Sequence, residues 1–252
     1  MIRAHRQPSY RVRMEWGPTG ASAVAESGAV AVVVDVLSFT TTLSVAVDAG
    51  ITVYPFRWKD ERAESYAAER DAVLARGRSA ATGISLSPAS VRASSGVERL
   101  VLPSPNGSAI SFTLAAAGAT VVGASLRNRS AVARWLAGRP RPIGIVAAGE
   151  RWPDGSLRPA VEDLWGAGAV VAALAAALEH RAGPLLLSPE AEAAGAAWLA
   201  VEERVAEALH DCASGRELIE QGWASDVEIA AELDRSQVVP VLADGAFTGS
   251  RG

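Results

Sequence analysis

Residues Ala29-Val30-Ala31-Val32-Val33-Val34 are apolar at every position and run into one carboxylate, Asp35. A half-buried strand alternates apolar and polar residues. A strand without alternation is buried on both faces, which happens where helices cover both sides of a sheet. The run therefore argues for an α/β chain. Asp35 falls at the carboxyl end of the strand, the edge at which open α/β sheets bind ligands. Ser38, Thr40, Thr41 and Thr42 follow and open a helix over 40–49 that Gly50 stops. A helix start offers free N–H groups and a positive dipole end to an anion. A carboxylate beside an anion is unfavourable unless a cation lies between them, which points to Mg²⁺ and a phosphate. The same residues also read as a buried strand whose terminal Asp caps the next helix.

The strand–loop–helix pattern recurs. Strands are predicted at 10–16, 51–56, 99–102, 120–124, 142–149 and 238–242. Helices are predicted at 59–76, 109–117, 131–137, 160–180 and 190–210. Capping boxes Ser214/Glu217 and Ser225/Glu228 open two short helices near the end. Gly17, Pro18 and Gly20 read as a loop, 77–98 as a long irregular segment, and 150–158 as a loop. Strands alternating with helices argue for parallel strands and right-handed crossovers. No strong linker divides the 252 residues, so 1–252 is expected to be a single domain, with two intimately packed halves as the other allowance.

The net charge of −4 is spread along the chain, and no basic stripe marks a nucleic-acid surface. A single cysteine, Cys212, excludes an internal disulfide framework and a Cys₄ zinc site, and it reads as a packed core thiol. His5, His180 and His210 match no metal spacing. The N-terminus lacks the apolar core of a signal peptide, and 167–178 is too short to span a bilayer. A cytoplasmic protein with no membrane or nucleic-acid partner is expected.

Four loops after strands carry small polar groups, around Asp35, Asn106, Asn128 and Glu162-Asp163. Asn106, Gly107 and Ser108 offer an amide, backbone N–H groups and a hydroxyl at a helix start. This is an anion cradle or an ordinary capped turn. Asn128 and Ser130 read the same two ways, and Arg127 and Arg129 add charge. Glu162 and Asp163 either favour a helix dipole or ligate Mg²⁺, which is commonly held by one or two carboxylates plus phosphate. Trp152 is a packing residue or lines the pocket. There is no G-x₄-G-K-[ST] motif, no second Asp after Asp35 in a D-x-D pattern and no C-x₅-R. No strand is followed by G-x-G-x-x-G, which argues against a nucleotide-dependent Rossmann enzyme.

In order, these segments resemble the 2-phosphosulfolactate phosphatase (ComB) family. Val34-Asp35-Val36-Leu37 with Thr40-Thr41-Thr42 is similar to its D-V-L-R-A-T-[ST]-T motif, and Ser104 to Ser108 to its T-[TS]-N-G-[ST] motif. Ser125 to Ala131 is similar to G-S-x-x-N-x-S-A, and Val146 to Gly149 with Glu162 to Gly168 to C-A-G…E-D-x-x-x-A-G. Cys212 to Leu218, Asp226-Val227 and Val239 to Val241 resemble its C-terminal signature. The resemblance implies a three-layer α/β/α fold with a mixed sheet containing parallel β-loop-α units. It also implies Mg²⁺-dependent hydrolysis of 2-phosphosulfolactate to 3-sulfolactate and phosphate, a step toward coenzyme M. On this reading Asp35 is catalytic, as nucleophile or metal ligand. Asp35, Glu162 and Asp163 are the metal candidates, and Thr40, Asn106, Gly107, Ser108, Asn128 and Arg129 the substrate contacts. The expected partner is a small phosphorylated, or also sulfonated, substrate, with a homodimer as the allowed assembly. Two departures stand out. The family Arg after D-V-L is Ser38 here, and G-F-D-x-x-N-S-P becomes Gly83-Ile84-Ser85-Leu86-Ser87-Pro88. Losing an Arg removes an anion partner that a hydroxyl cannot replace, so a non-catalytic anion-binding protein on the same fold is the competing reading.

Overall fold

The computed structural model describes residues 2–57, 61–78, 83–179 and 185–251. In chain order it contains β1 (Val12–Trp16), α1 (Gly17–Val24), β2 (Val30–Val34), α2 (Phe39–Asp48), β3 (Thr52–Phe56), α3 (Glu61–Ala68), β4 (Val73–Leu74), α4 (Pro88–Arg92), β5 (Arg99–Pro103), α5 (Gly107–Ala116) and β6 (Thr120–Ala124). Then follow α6 (Arg129–Ala137), β7 (Ile143–Ala147), β8 (Glu150–Arg151), β9 (Leu157–Arg158), α7 (Val161–Leu178), α8 (Pro189–Leu199), α9 (Val205–Asp211), α10 (Ala213–Glu220), α11 (Ala224–Ala230), β10 (Val238–Ala243) and β11 (Ala246–Arg251).

β2 is buried at all five positions and lies inside the sheet, parallel to β7 on one side and β6 on the other. Its alternate residues feed two separate cores. Val30, Val32 and Val34 join Trp135, Val170, Leu174 and Trp198 from α6, α7 and α8. Ala31 and Val33 join Val24, Phe39, Leu43, Ile110 and Leu114 from α1, α2 and α5. The chain is thus α/β with helices on both faces of one large mixed sheet, as its most apolar strand requires.

The nine strands run in the order β1-β7-β2-β6-β10-β11-β3-β5-β4. The first four are mutually parallel, as are the last three, and the β10–β11 hairpin joins the two sets through antiparallel pairings. Three reversals leave β5 running opposite to β2, so a flat sheet would put their carboxyl ends on opposite edges. Yet Gly107, just after β5, donates its backbone N–H to Asp35, just after β2, at 3.1 Å. Sheet twist, roughly 20–25° per strand pair over the five intervening steps, rotates the second set by more than a quarter turn. β11 meets β3 at one residue pair, Phe247 with Val53, so that junction does little to hold the sheet flat.

Several expectations are corrected. The helix predicted over 59–76 ends at Ala68, because Asp71 takes a left-handed φ of 48° and the chain turns into β4; Lys59 lies outside the described residues. The loop at Gly17 is α1, with Pro18 in its first turn. The helix over 190–210 is two, α8 and α9, separated by a turn at 202–204. Val201 and Val205 are buried on either side of that turn, so the apolar period runs straight through it. α10 starts before Ser214 and is capped by the Cys212 sulfur, which accepts the Gly215 N–H at 3.4 Å; α11 starts without a side-chain cap. The segment 150–158 is a hairpin around Asp154-Gly155, and Asp244-Gly245 turns β10 into β11. Both Asp-Gly pairs are hairpin signals legible in the sequence. The helix predicted to reach His180 is α7, ending at Leu178, and His180 lies outside the described residues. α7 is the one described helix long and apolar enough to cross a membrane by length and composition, and 56% of it is buried inside the protein.

Candidate functional site

Two helix starts converge on Asp35. Its Oδ1 accepts the backbone N–H of Phe39, the first residue of α2, at 3.0 Å, and its Oδ2 accepts that of Gly107, the first residue of α5. A capping role and a place in the site are therefore the same arrangement. Thr40 braces the carboxylate from behind: its hydroxyl donates to the Asp35 carbonyl at 2.8 Å and accepts the Asp35 N–H at 3.0 Å. Gly107 is demanded by close approach. A Cβ there would lie 2.2 Å from the Phe39 ring and 2.9 Å from Asp35 Oδ2.

Asp163 is an internal tie. Oδ1 accepts the N–H of Val36 at 2.7 Å and Oδ2 that of Gly149 at 2.8 Å, so one side chain from α7 clamps the chain just past both β2 and β7. Glu162 is 2% exposed, and its charge acts on the Cys212 thiol, which donates to the Leu209 carbonyl at 3.2 Å. Burial and the Glu162 charge push that thiol up to about 12. Cys212 is thus a packed, protonated core thiol, as expected.

Asp35 lines a pocket of about 210 Å³ with Ser38, Arg78, Asn106, Glu150 and Ser214. Larger cavities lie elsewhere, among Arg3, Arg6 and Arg13, for example; this smaller one is lined by Asp35 and Glu150 and by the loop ends of β2, β5 and β7. Burial raises Asp35 to about 6, against the two amides and the Arg78 charge that lower it. Burial, then the charges of Asp35 and Glu162, raise Glu150 to about 7, offset by Arg158 and the Asn106 side chain. Asp163 is also raised well above the usual carboxylate range, by burial and then by Asp35 and Glu162. Asp35, Glu150, Glu162 and Asp163 thus crowd negative charge into a desolvated region. Asp35 and Glu150 present hard carboxylate oxygens to the pocket, the kind of ligand that suits a cation of the Mg²⁺ type. Among the described residues no group of three or more His, Cys, Asp or Glu side chains is placed to hold a metal ion. Mg²⁺ commonly needs only one or two carboxylates beside substrate and water.

The structure brings together Asp35, Asn106 and Gly107 from the expected set. Asn106 donates to Glu150 at 3.1 Å and accepts from Arg151 at 3.3 Å. Ser108 is fully buried, and its hydroxyl donates to the Leu102 carbonyl. Asn128 and Arg129 are not brought to the pocket. Asn128, also fully buried, accepts the Ser125 N–H and donates to the Gly123 and Val238 carbonyls, tying β6 to β10. Arg129 pairs with Asp234 and Glu202 and lies over the Trp198 ring. Trp152 is 53% exposed on the β8–β9 hairpin with Arg158 over its ring, and it does not line the pocket. The pocket also holds Glu150 and Arg78, which sequence reasoning did not single out, and Asp226, named only within the C-terminal signature, pairs with Arg78. Glu150 stands first after a glycine at a strand end, a readable signal. Arg78 sits in an irregular segment and Asp226 148 residues further on, and nothing in the sequence pairs them.

The 2-phosphosulpholactate phosphatase family model matches residues 19–245. A protein of Deinococcus radiodurans named "Probable 2-phosphosulfolactate phosphatase" is 31% identical over 228 residues, covering 86% of this chain and 88% of that protein. The ordered motifs, the mixed α/β sheet and these matches agree: the chain belongs to the 2-phosphosulfolactate phosphatase family.

Proposed function

We propose that this protein is a Mg²⁺-dependent phosphatase that hydrolyses 2-phosphosulfolactate, or a closely related small phosphate ester, to 3-sulfolactate and phosphate. The observation that carries the reading is the Asp35 carboxylate, held by the first amides of two helices on the wall of a small pocket, in a chain of this family. Asp35 and Glu162 are the carboxylates that would hold Mg²⁺, with Asp163 fixing the loops around them. The bound ion would neutralise the phosphoryl oxygens as charge develops on them.

The chain's own groups do the rest. The Phe39 and Gly107 amides keep Asp35 oriented toward the pocket, so no side-chain reorganisation is required when the ester enters. Glu150, half-buried on the pocket wall and hydrogen-bonded to Asn106, is the carboxyl group placed to give a proton to the departing alkoxide as water takes up the phosphoryl group. Asn106 orients that carboxyl group.

The test is phosphate release from 2-phosphosulfolactate and a panel of small phosphate esters, with Mg²⁺ and with EDTA, by wild type and Asp35→Asn. Turnover should vanish in EDTA and fall by at least about 10³-fold in the variant, since removing a group that acts on the reacting centre costs that order. Turnover that survives both would overturn the reading.

A further inference from the structure

The pocket is lined by one guanidinium as well as by carboxylates, and it is held as a receptor would be. Arg78 Nε donates to Asp226 Oδ2 at 3.0 Å, and Nη2 donates to the Ser38 hydroxyl and, at 3.5 Å, to the Leu86 carbonyl. Asp226 is fully buried and is itself fixed, its Oδ1 accepting the Ser87 hydroxyl at 2.5 Å and the Ala89 N–H at 3.3 Å. One edge of the guanidinium is thereby locked, while Nη1 has no partner among the described residues. The Arg78 side chain is 19% exposed and Asp226 not at all, so the pair places a charge at the pocket rather than sealing it inside the core.

Position 38 is where the related motif carries an arginine, and here the Arg78 guanidinium rests on the Ser38 hydroxyl. The positive charge missing from the loop after β2 is thus supplied from the segment after β4. On the phosphatase reading a cation on the carboxylates would take the phosphate being removed, which leaves a preorganised guanidinium in the same pocket for another anion.

Building on the phosphatase reading, we propose that Arg78 is a specificity-determining residue that binds an acidic group of the substrate other than the phosphate being removed. Asp226 is the residue that positions Arg78.

The experiment compares 2-phosphosulfolactate with glycerol 2-phosphate, an ester without a second acid, in wild type, Arg78→Lys, Arg78→Met and Arg78→Met/Asp226→Asn. The double variant avoids leaving a buried carboxylate unpaired. Thermal melts confirm folding, and Arg78→Lys keeps the test open if the methionine variants unfold. The ratio of kcat/KM for the two esters should fall about 10- to 100-fold on losing the guanidinium, mostly through KM for the acidic ester, as expected for a hydrogen-bonded charge pair. Calorimetry with 3-sulfolactate, isethionate and lactate reads the same contact without turnover and tells a sulfonate partner from a carboxylate one. Binding should weaken about tenfold or more in the variants. An unchanged ratio with unchanged 3-sulfolactate binding, in folded variants, overturns the proposal even if the phosphatase stands. If wild type hydrolyses no ester, the phosphatase reading fails and 3-sulfolactate binding alone decides for or against Arg78.

Discussion

Asp35 shows how one carboxylate can be a capping group and a site group at once. Its oxygens each accept a backbone N–H, one from α2 and one from α5, so the loops after β2 and β5 are positioned by the residue they present. Gly107 makes this geometry available. Gly107→Ala would drive a Cβ to 2.2 Å from Phe39, a buried ring that also packs edge-on against Phe247. The substitution is expected to destabilise by about 1–3 kcal/mol, the usual cost of overpacking. It should also lower phosphatase activity more than an equally destabilising change far from the pocket, because it moves the amide that holds Asp35. Denaturant unfolding and kcat/KM on the same preparation check both parts, and an alanine variant with wild-type stability would refute the contact. At this scale the gathering of Asp35, Asn106 and Gly107 was legible, because they lie beside strand ends. The place of Asn128 and Arg129 away from that pocket was not, because a short polar loop looks the same whether its amide meets a ligand or a neighbouring strand's carbonyl.

The same distinction governs the elements. Helices and strands with unbroken periods were legible: the Val run as β2, and the Ala-rich stretch after Glu162 and Asp163 as α7. What escaped was direction change inside a continuous period, as between α8 and α9, and pairing across distance, as in the β10–β11 hairpin that joins the two halves of the sheet. Small residues in α7 carry information that composition alone hides. A Cβ on Gly168 would meet the Ala194 carbonyl oxygen at 1.9 Å and the Trp198 Cβ at 2.8 Å, so α7 and α8 approach backbone to backbone at that point. Gly168→Ala raises helix propensity, by about 1 kcal/mol in an exposed helix. Here the clash is with backbone and cannot be relieved by a rotamer. The variant is expected to lose stability by about 1–3 kcal/mol, which in a chain of this size lowers Tm by roughly 2–10 °C. Gly195→Ala across the same interface, where the nearest atom is 3.6 Å away, should be tolerated. A calorimetric scan of the two variants distinguishes close helix contact from ordinary packing.

Over the whole molecule, the crowded carboxylates couple the site to stability. Folding raises Asp35 from 3.8 to about 6 and Glu150 from 4.5 to about 7, mainly by burial, so the folded protein binds these protons more tightly than the unfolded chain. The sign follows from linkage: where the native state holds more protons, stability falls as pH rises. Their contribution is fully present below the unfolded values of 3.8 and 4.5 and is lost as pH rises through the folded values of about 6 and 7. For Asp35 alone the difference is on the order of 3 kcal/mol. In EDTA, Tm is accordingly expected to drop by several degrees between pH 5.5 and 7.5. A cation held by the ionised carboxylates stabilises the form that binds it, so Mg²⁺ should raise Tm at pH 7.5 and have little effect at pH 5.5, where protons compete for the same oxygens. Asp35→Asn removes a buried charge from the pocket wall and should flatten both the pH slope and the Mg²⁺ response; its amide can accept only one of the two backbone N–H groups, so some stability is lost at every pH. A metal-free Tm that is level across this range, or a Mg²⁺ response unchanged in Asp35→Asn, would show that the carboxylates are neutralised within the protein and that the cation site lies elsewhere.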